Sequence, residues 1–198
     1  MAKGSGYFSI NAKMLAVTAV MAAIGAIFEF LPLDLPFPPL PFLTFDPSGI
    51  PTAIAALAFG PISGTLVAIV MTLTIFLRGN VLGSMFKFVA EFFTAIPLSI
   101  VLWIFRNKYK ERSHMYLQSM FLLGLIVGMV CRVATMALAN YMLLPIFYGM
   151  PESAVVALLP MINFFNAIAA LIAVVPAWII VLVLPPDLKP EWLDWKRG

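Results

Sequence analysis

Long apolar runs, separated by short polar or proline-rich breaks, dominate the chain. The first extends from Lys13 to Phe30, and the others cover Ser48 to Phe59, Ile62 to Leu77, Phe86 to Phe105, Tyr116 to Tyr141 and Ala154 to Leu184. As α-helices, apolar runs of about 20 residues match the hydrocarbon core of a bilayer, roughly 30 Å thick. The pattern predicts an all-α integral membrane protein: six transmembrane helices in a single domain over residues 1–198. The run from Ser48 to Phe59 is short, reaching only about 18 Å at 1.5 Å per residue, so it cannot cross unless its flanking loop dips into protein. Between the first two runs, Leu31 to Pro47 carries Pro32, Pro36, Pro38, Pro39, Pro41 and Pro47. Such proline density forbids a helix. Non-helical backbone is tolerated at membrane depth where protein buries it or where it lines a cavity. The stretch is expected either to form the wall of a binding site or to be an ordinary surface loop.

Composition sharpens this picture. Hydrophobic residues make up 63% of the chain and charged residues 11%, with a mean hydropathy of +1.03, whereas soluble domains carry about 25% charged residues. The first run is long enough to remain as a span and lacks the short core and small-residue cleavage site of a secretory signal. A formal charge of +3 reads as topology and not as nucleic-acid binding. Lys3 and Lys13 precede the first span, Arg106, Lys108, Lys110 and Arg112 lie between the fourth and fifth, and Lys189, Lys196 and Arg197 follow the last. By the positive-inside rule, both termini and the 106–112 loop are expected to be cytoplasmic. Asp34, Asp46, Arg78 and Glu152 then fall in outer loops.

This orientation assigns depth to the remaining polar residues. Lys87 and Glu91 lie near the outer start of the fourth span, Arg132 and Asn140 in the outer part of the fifth, and Asn163 and Asn166 near the outer start of the sixth. Ionisable residues inside spans usually face the bundle interior or a water-filled cavity. A ligand cavity open to the outside is one reading. A structural network is the other, with Lys87 and Glu91 paired at i,i+4 and Arg132 held by Glu91 or by backbone carbonyls. Asn163 and Asn166 share a helix face, and their amides offer both donors and acceptors; they suit a neutral heterocycle, or serve as interhelical glue. In the first span, Ala12, Ala16, Ala19, Ala23 and Ala26 form a continuous stripe of small side chains. Such stripes let helix backbones approach closely, either inside the bundle or at a partner.

Absent motifs narrow the chemistry. There is no phosphate-binding G-x-x-x-x-G-K-[ST] loop, no H-E-x-x-H and no G-x-S-x-G. His114 is the one histidine, among charges next to the 106–112 loop, and Cys131 is the one cysteine, so no intrachain disulfide or multi-cysteine metal cluster is possible. No metal, cofactor or catalytic residue is expected, and the chain cannot couple ATP hydrolysis to transport by itself. An intramembrane enzyme, or a self-sufficient proton-coupled carrier using Glu91 and Arg132, is the rival class. An enzyme requires a converging nucleophile, base or metal set, and none is visible.

The residues Pro41-Phe-Leu-Thr-Phe-Asp46-Pro-Ser48-Gly-Ile50-Pro51, followed by Phe59-Gly-Pro-Ile-Ser-Gly64, resemble the L-K-x-D-x-S-x-I-P and G-P-x-x-G pattern of riboflavin-specific S components of energy-coupling factor transporters. Cys131-Arg132 through Asn140-Tyr141-Met-Leu-Leu-Pro145 is similar to that family's fifth helix. The resemblance implies a vitamin-binding subunit in the plasma membrane of a prokaryote, with riboflavin as transported ligand and not as cofactor. It further implies two ABC ATPases and a membrane-embedded coupling subunit as partners, and an alanine motif on the first helix. Ligand contacts are expected from Phe42, Thr44, Phe45, Asp46, Lys87, Glu91, Asn140, Asn163 and Asn166, and partner docking from Ala12, Ala16, Ala19 and Ala23. The chain departs from the family pattern at Thr44, where a Lys is usual, at Gly49, where an Asp is usual, and at Asn166, where the sixth helix often carries a Lys. Late in the third helix a Lys-Asn pair is replaced by Arg78-Gly-Asn80.

Overall fold

A computed structural model describes residues 12–31, 33–106 and 114–185. The basic residues Lys3, Lys108, Lys110, Arg112, Lys189, Lys196 and Arg197 lie outside the described residues, as does Pro32. Among the described residues the elements are α1 (Ala12–Phe30), β1 (Leu35–Phe37), β2 (Leu40–Phe45), α2 (Gly49–Phe59), α3 (Pro61–Leu77), α4 (Val81–Arg106), α5 (His114–Tyr148) and α6 (Glu152–Val183). Four of the helices, α1, α4, α5 and α6, are long and apolar enough to cross a membrane, while α2 and α3 are shorter apolar helices.

The short helix α2 occupies the centre, packing against α1, α3, α4 and α6. Every residue from Pro51 to Ala58 is buried, as befits a helix that is apolar all round. Its composition allows this, since Ala53, Ala55, Ala56 and Ala58 keep it thin. Gly60, with φ of 92°, turns the chain sharply into α3, and Pro61 takes the first helical position, where its missing N–H costs nothing. On α1 the buried positions are Met14, Thr18, Ala22 and Gly25, and Thr18 Oγ1 hydrogen-bonds Ser63 Oγ on α3.

Close packing between α4 and α5 rests on Gly128. A methyl group there would sit 2.6 Å from the Thr94 carbonyl oxygen, so even alanine must push the two helices apart. At one end of the bundle a core forms around Leu57, Leu98, Leu102, Leu117, Val174 and Trp178, where the rings of Phe121 and Trp178 stack at 4.4 Å. Large apolar side chains such as Leu73, Leu122, Val130, Leu138 and Ile179 cover the outside, which in water would be a severe liability and in lipid is required.

The proline-rich stretch, expected as a non-helical loop, folds into an antiparallel β-hairpin with Leu35 opposite Phe45 and Pro36 opposite Thr44. A two-stranded ribbon leaves each strand one unpaired edge, and a proline is tolerated there; Pro38 and Pro39 make the turn. Phe37 and Leu40 point into a second core with Leu144, Val155, Ile162 and Phe165. The hairpin therefore caps the end of the bundle where α1 and α3 finish and α4 and α6 begin. Both α4 and α5 outrun their expected limits: α4 begins at Val81 and not near Phe86, and α5 continues past Tyr141 and through Pro145.

Candidate functional site

Beneath the hairpin lies a cavity of about 380 Å³, within the range of roughly 300–1,000 Å³ that holds small-molecule ligands. One wall is a single face of α5, where Arg132, Met136, Asn140, Leu144 and Tyr148 recur every fourth residue and all line the space. The hairpin contributes Phe42 and Thr44, α4 contributes Phe86 and Lys87, and α6 contributes Phe165 and Asn166.

Charge enters as a chain of pairs. Lys87 Nζ donates to both Asp46 carboxylate oxygens at 2.7 Å and lies 3.7 Å from Glu29 and 3.9 Å from Glu91. The Glu91 carboxylate reaches Arg132 Nη1 at 3.3 Å. Arg132 also donates from Nη1 to Thr94 Oγ1 at 3.3 Å and from Nε to Asn166 Oδ1 at 3.2 Å. One network thus joins α1, the hairpin, α4, α5 and α6. At its outer edge the Ser48 hydroxyl donates to Glu29 Oε1 at 2.5 Å and contacts Asp46 Oδ1. Asp46 Oδ1 also accepts the Ser48 backbone N–H at 2.9 Å, a local turn that starts α2.

Not every expected ligand contact reaches the cavity. Phe42, Thr44, Asp46, Lys87, Asn140 and Asn166 line it, but Phe45, Glu91 and Asn163 do not. The Phe45 ring stacks on Phe165 at 4.6 Å and meets Phe37 edge-on at 5.8 Å, so it packs the hairpin down instead of facing a ligand. Glu91 is consumed by Arg132 and Lys87. Asn163 lies one turn before Asn166 with its Oδ1 sealed and without a hydrogen-bond partner. Asn140 donates through Nδ2 to the Met136 carbonyl at 2.7 Å, and Asn166 through Nδ2 to the Ile162 carbonyl at 2.9 Å.

The family model of the ECF transporter substrate-specific component matches residues 13–183. The chain belongs to this family. It is 31% identical over 140 residues to the riboflavin transporter RibU of Staphylococcus aureus (strain TCH60), covering 70% of this chain and 68% of that protein. It is 26% identical over 207 residues to the riboflavin transporter FmnP of Bacillus subtilis (strain 168), covering 96% and 98%. A solved S component of a bacterial ECF transporter superposes with a TM-score of 0.64 at 26% identity, over 85% of this chain and 92% of that one.

Two cavity residues of this S component escaped the reading of its sequence as direct participants. Glu29 closes α1 next to the apolar Phe30, and an acidic residue inside a span is itself the signal that marks a functional position. Arg78 donates from Nη1 to the Glu29 carbonyl and sits over the Phe30 ring at 5.7 Å from its centroid. Asn80 has a structural task, since its Oδ1 accepts the Gly83 N–H at 2.8 Å and caps α4. Among the described residues, no group of three or more His, Cys, Asp or Glu side chains is placed to hold a metal ion.

Burial raises the Asp46 carboxyl, but the Lys87 charge and the hydrogen bonds from Lys87 and Ser48 outweigh it and hold Asp46 below its ordinary value of 3.8. A carboxylate lowered in the folded state adds stability above its unfolded value and loses it as pH falls through the folded one. Asp46→Asn should therefore cost about 1–3 kcal/mol at neutral pH. The gap from wild type should narrow once the pH falls below about 4, read as thermal unfolding of the detergent-purified protein from about pH 7 to about pH 3. A gap that stays constant down to the acid end would show that the Asp46 charge is not what anchors the hairpin.

Proposed function

We propose that this S component captures riboflavin, or a closely flavin-like compound, from outside the cell at high affinity for ATP-driven uptake. The observation that carries the reading is the cavity itself: aromatic Phe42, Phe86, Tyr148 and Phe165 beside the polar Asn140 and Thr44. Such a lining suits a planar heterocycle with a hydroxylated tail. The named activity of the RibU and FmnP relatives supports the choice. The chain acts as a binding subunit and not as an enzyme. Purified without added ligand, the protein should be yellow with quenched flavin fluorescence. Asn140→Leu should weaken riboflavin binding by roughly 1–3 kcal/mol in calorimetry, and binding of another vitamin with none of riboflavin would reject the substrate.

We further propose that all six helices form one transmembrane domain of the plasma membrane, with both termini cytoplasmic and the hairpin outside. The distribution of Lys and Arg supports this orientation. In a variant lacking Cys131, cysteines placed at Ser113 and Gly198 should react with a membrane-impermeant thiol reagent only after the cytoplasmic face is opened. Labelling of either in intact cells would invert the reading.

Coupling to a membrane-embedded T subunit and two ATPases is assigned to the outward face of α1. Ala12, Ala16, Ala19 and Ala23 are exposed, on the side opposite the buried Met14, Thr18, Ala22 and Gly25. Small side chains on a free face admit a partner helix closely. Ala19→Trp should leave riboflavin affinity within about twofold of wild type, yet abolish co-purification with the ATPase module and transport. Retained transport would place the docking face elsewhere.

A further inference from the structure

We infer that Arg132 is itself a ligand-binding residue, the hydrogen-bond donor at the floor of the cavity that reads a carbonyl oxygen of the bound heterocycle. The assignment rests on the riboflavin reading above and adds a contact that the sequence leaves open between a ligand cavity and a structural network.

A guanidinium has five N–H donors spread over three nitrogens. In this structure Nε is used by Asn166, and Nη1 by Glu91 and Thr94. Among the described residues nothing accepts from Nη2. It is also not one of the sealed side-chain atoms without a partner, which among the described residues are Thr52 Oγ1 and Asn163 Oδ1. Arg132 is only 6% exposed overall and lines the cavity. The two free N–H groups of Nη2 therefore open onto the ligand space from a side chain otherwise locked on three sides.

The chemistry around Nη2 selects the acceptor. A ligand hydroxyl would bring a proton of its own, and the floor offers it little. Glu91 is engaged by Arg132 and does not line the cavity, and Thr94 Oγ1 already accepts from Arg132 Nη1 at 3.3 Å while donating to the Ala90 carbonyl. The Asn166 oxygen is taken by Arg132 Nε. A carbonyl oxygen accepts without needing to donate, so it fits this donor-rich floor. Glu91 keeps the site electrically balanced without contacting the ligand. Asn140 stands eight residues further along α5, about 12 Å higher at 1.5 Å per residue, so the two polar groups meet different parts of an elongated molecule.

The test uses the full-length protein in detergent, with riboflavin affinity and the infrared carbonyl bands of bound riboflavin as paired readouts. In wild type, one flavin carbonyl band should lie below its position for riboflavin in water, as a charged donor in a dry site demands. Arg132→Lys keeps a cation for Glu91 but loses the fork, and should bind about 10- to 100-fold more weakly with that band shifted upward. The charge-balanced pair Arg132→Gln with Glu91→Gln should behave alike, and decides the matter if the lysine variant does not fold. Wild-type affinity with unshifted bands in the folded variants would make Arg132 purely structural and overturn the assignment. A wild-type carbonyl band at or above its position in water would overturn it with no variant needed. Wild-type protein that binds no riboflavin at all would sink the substrate reading together with this one.

Discussion

Everything about the site depends on the cost of charge in a bundle surrounded by lipid. Leaving an ion unpaired in such a place costs several kcal/mol. Glu29, Asp46, Lys87, Glu91 and Arg132 avoid that penalty only by meeting one another, and they come from α1, the hairpin exit, α4 and α5. Their pairing fixes where these elements stand. The cavity is the space left once the network has closed, which is why its polar wall and its structural struts are the same residues.

That double use blurs the contrast between a ligand site and a structural network. Lys87 and Glu91 behave as struts, each saturated by opposite charge. Asn140 and Arg132 are struts with a spare group: Asn140 spends its amide nitrogen on a helix carbonyl, and Arg132 spends Nε and Nη1 on protein neighbours. A binding site built from half-used polar groups is pre-organised before the ligand arrives, so little ordering cost remains at the moment of binding.

The parts legible in the sequence were those governed by local spacing. Lys87 with Glu91 at i,i+4 and the span-length apolar runs follow from helical periodicity. The approach of Arg132 to Glu91 was legible as a choice between two partners, because a buried cation must find an anion. What stayed hidden depended on contacts between distant segments. Prolines read as breakers of helix, yet nothing in Pro36 or Pro41 announces that the two flanking strands pair. Phe45 and Phe42 were expected together as ligand-stacking rings, yet only Phe42 lines the cavity. On a strand successive residues alternate faces, so residues three apart point opposite ways, and the irregular register and the Phe165 ring decide which one packs inward. Asn163 and Asn166 share a helix face, but only Asn166 reaches the wall, a matter of a single turn that spacing alone does not resolve.

The length of α5 has a mechanical consequence. Its 35 residues make a rod of about 52 Å, well beyond the roughly 30 Å hydrocarbon thickness of a bilayer. Such a helix answers a thinner or thicker membrane by changing its tilt. One face of the same rod is a wall of the cavity, so whatever tilt the helix takes in the bilayer, that wall takes with it.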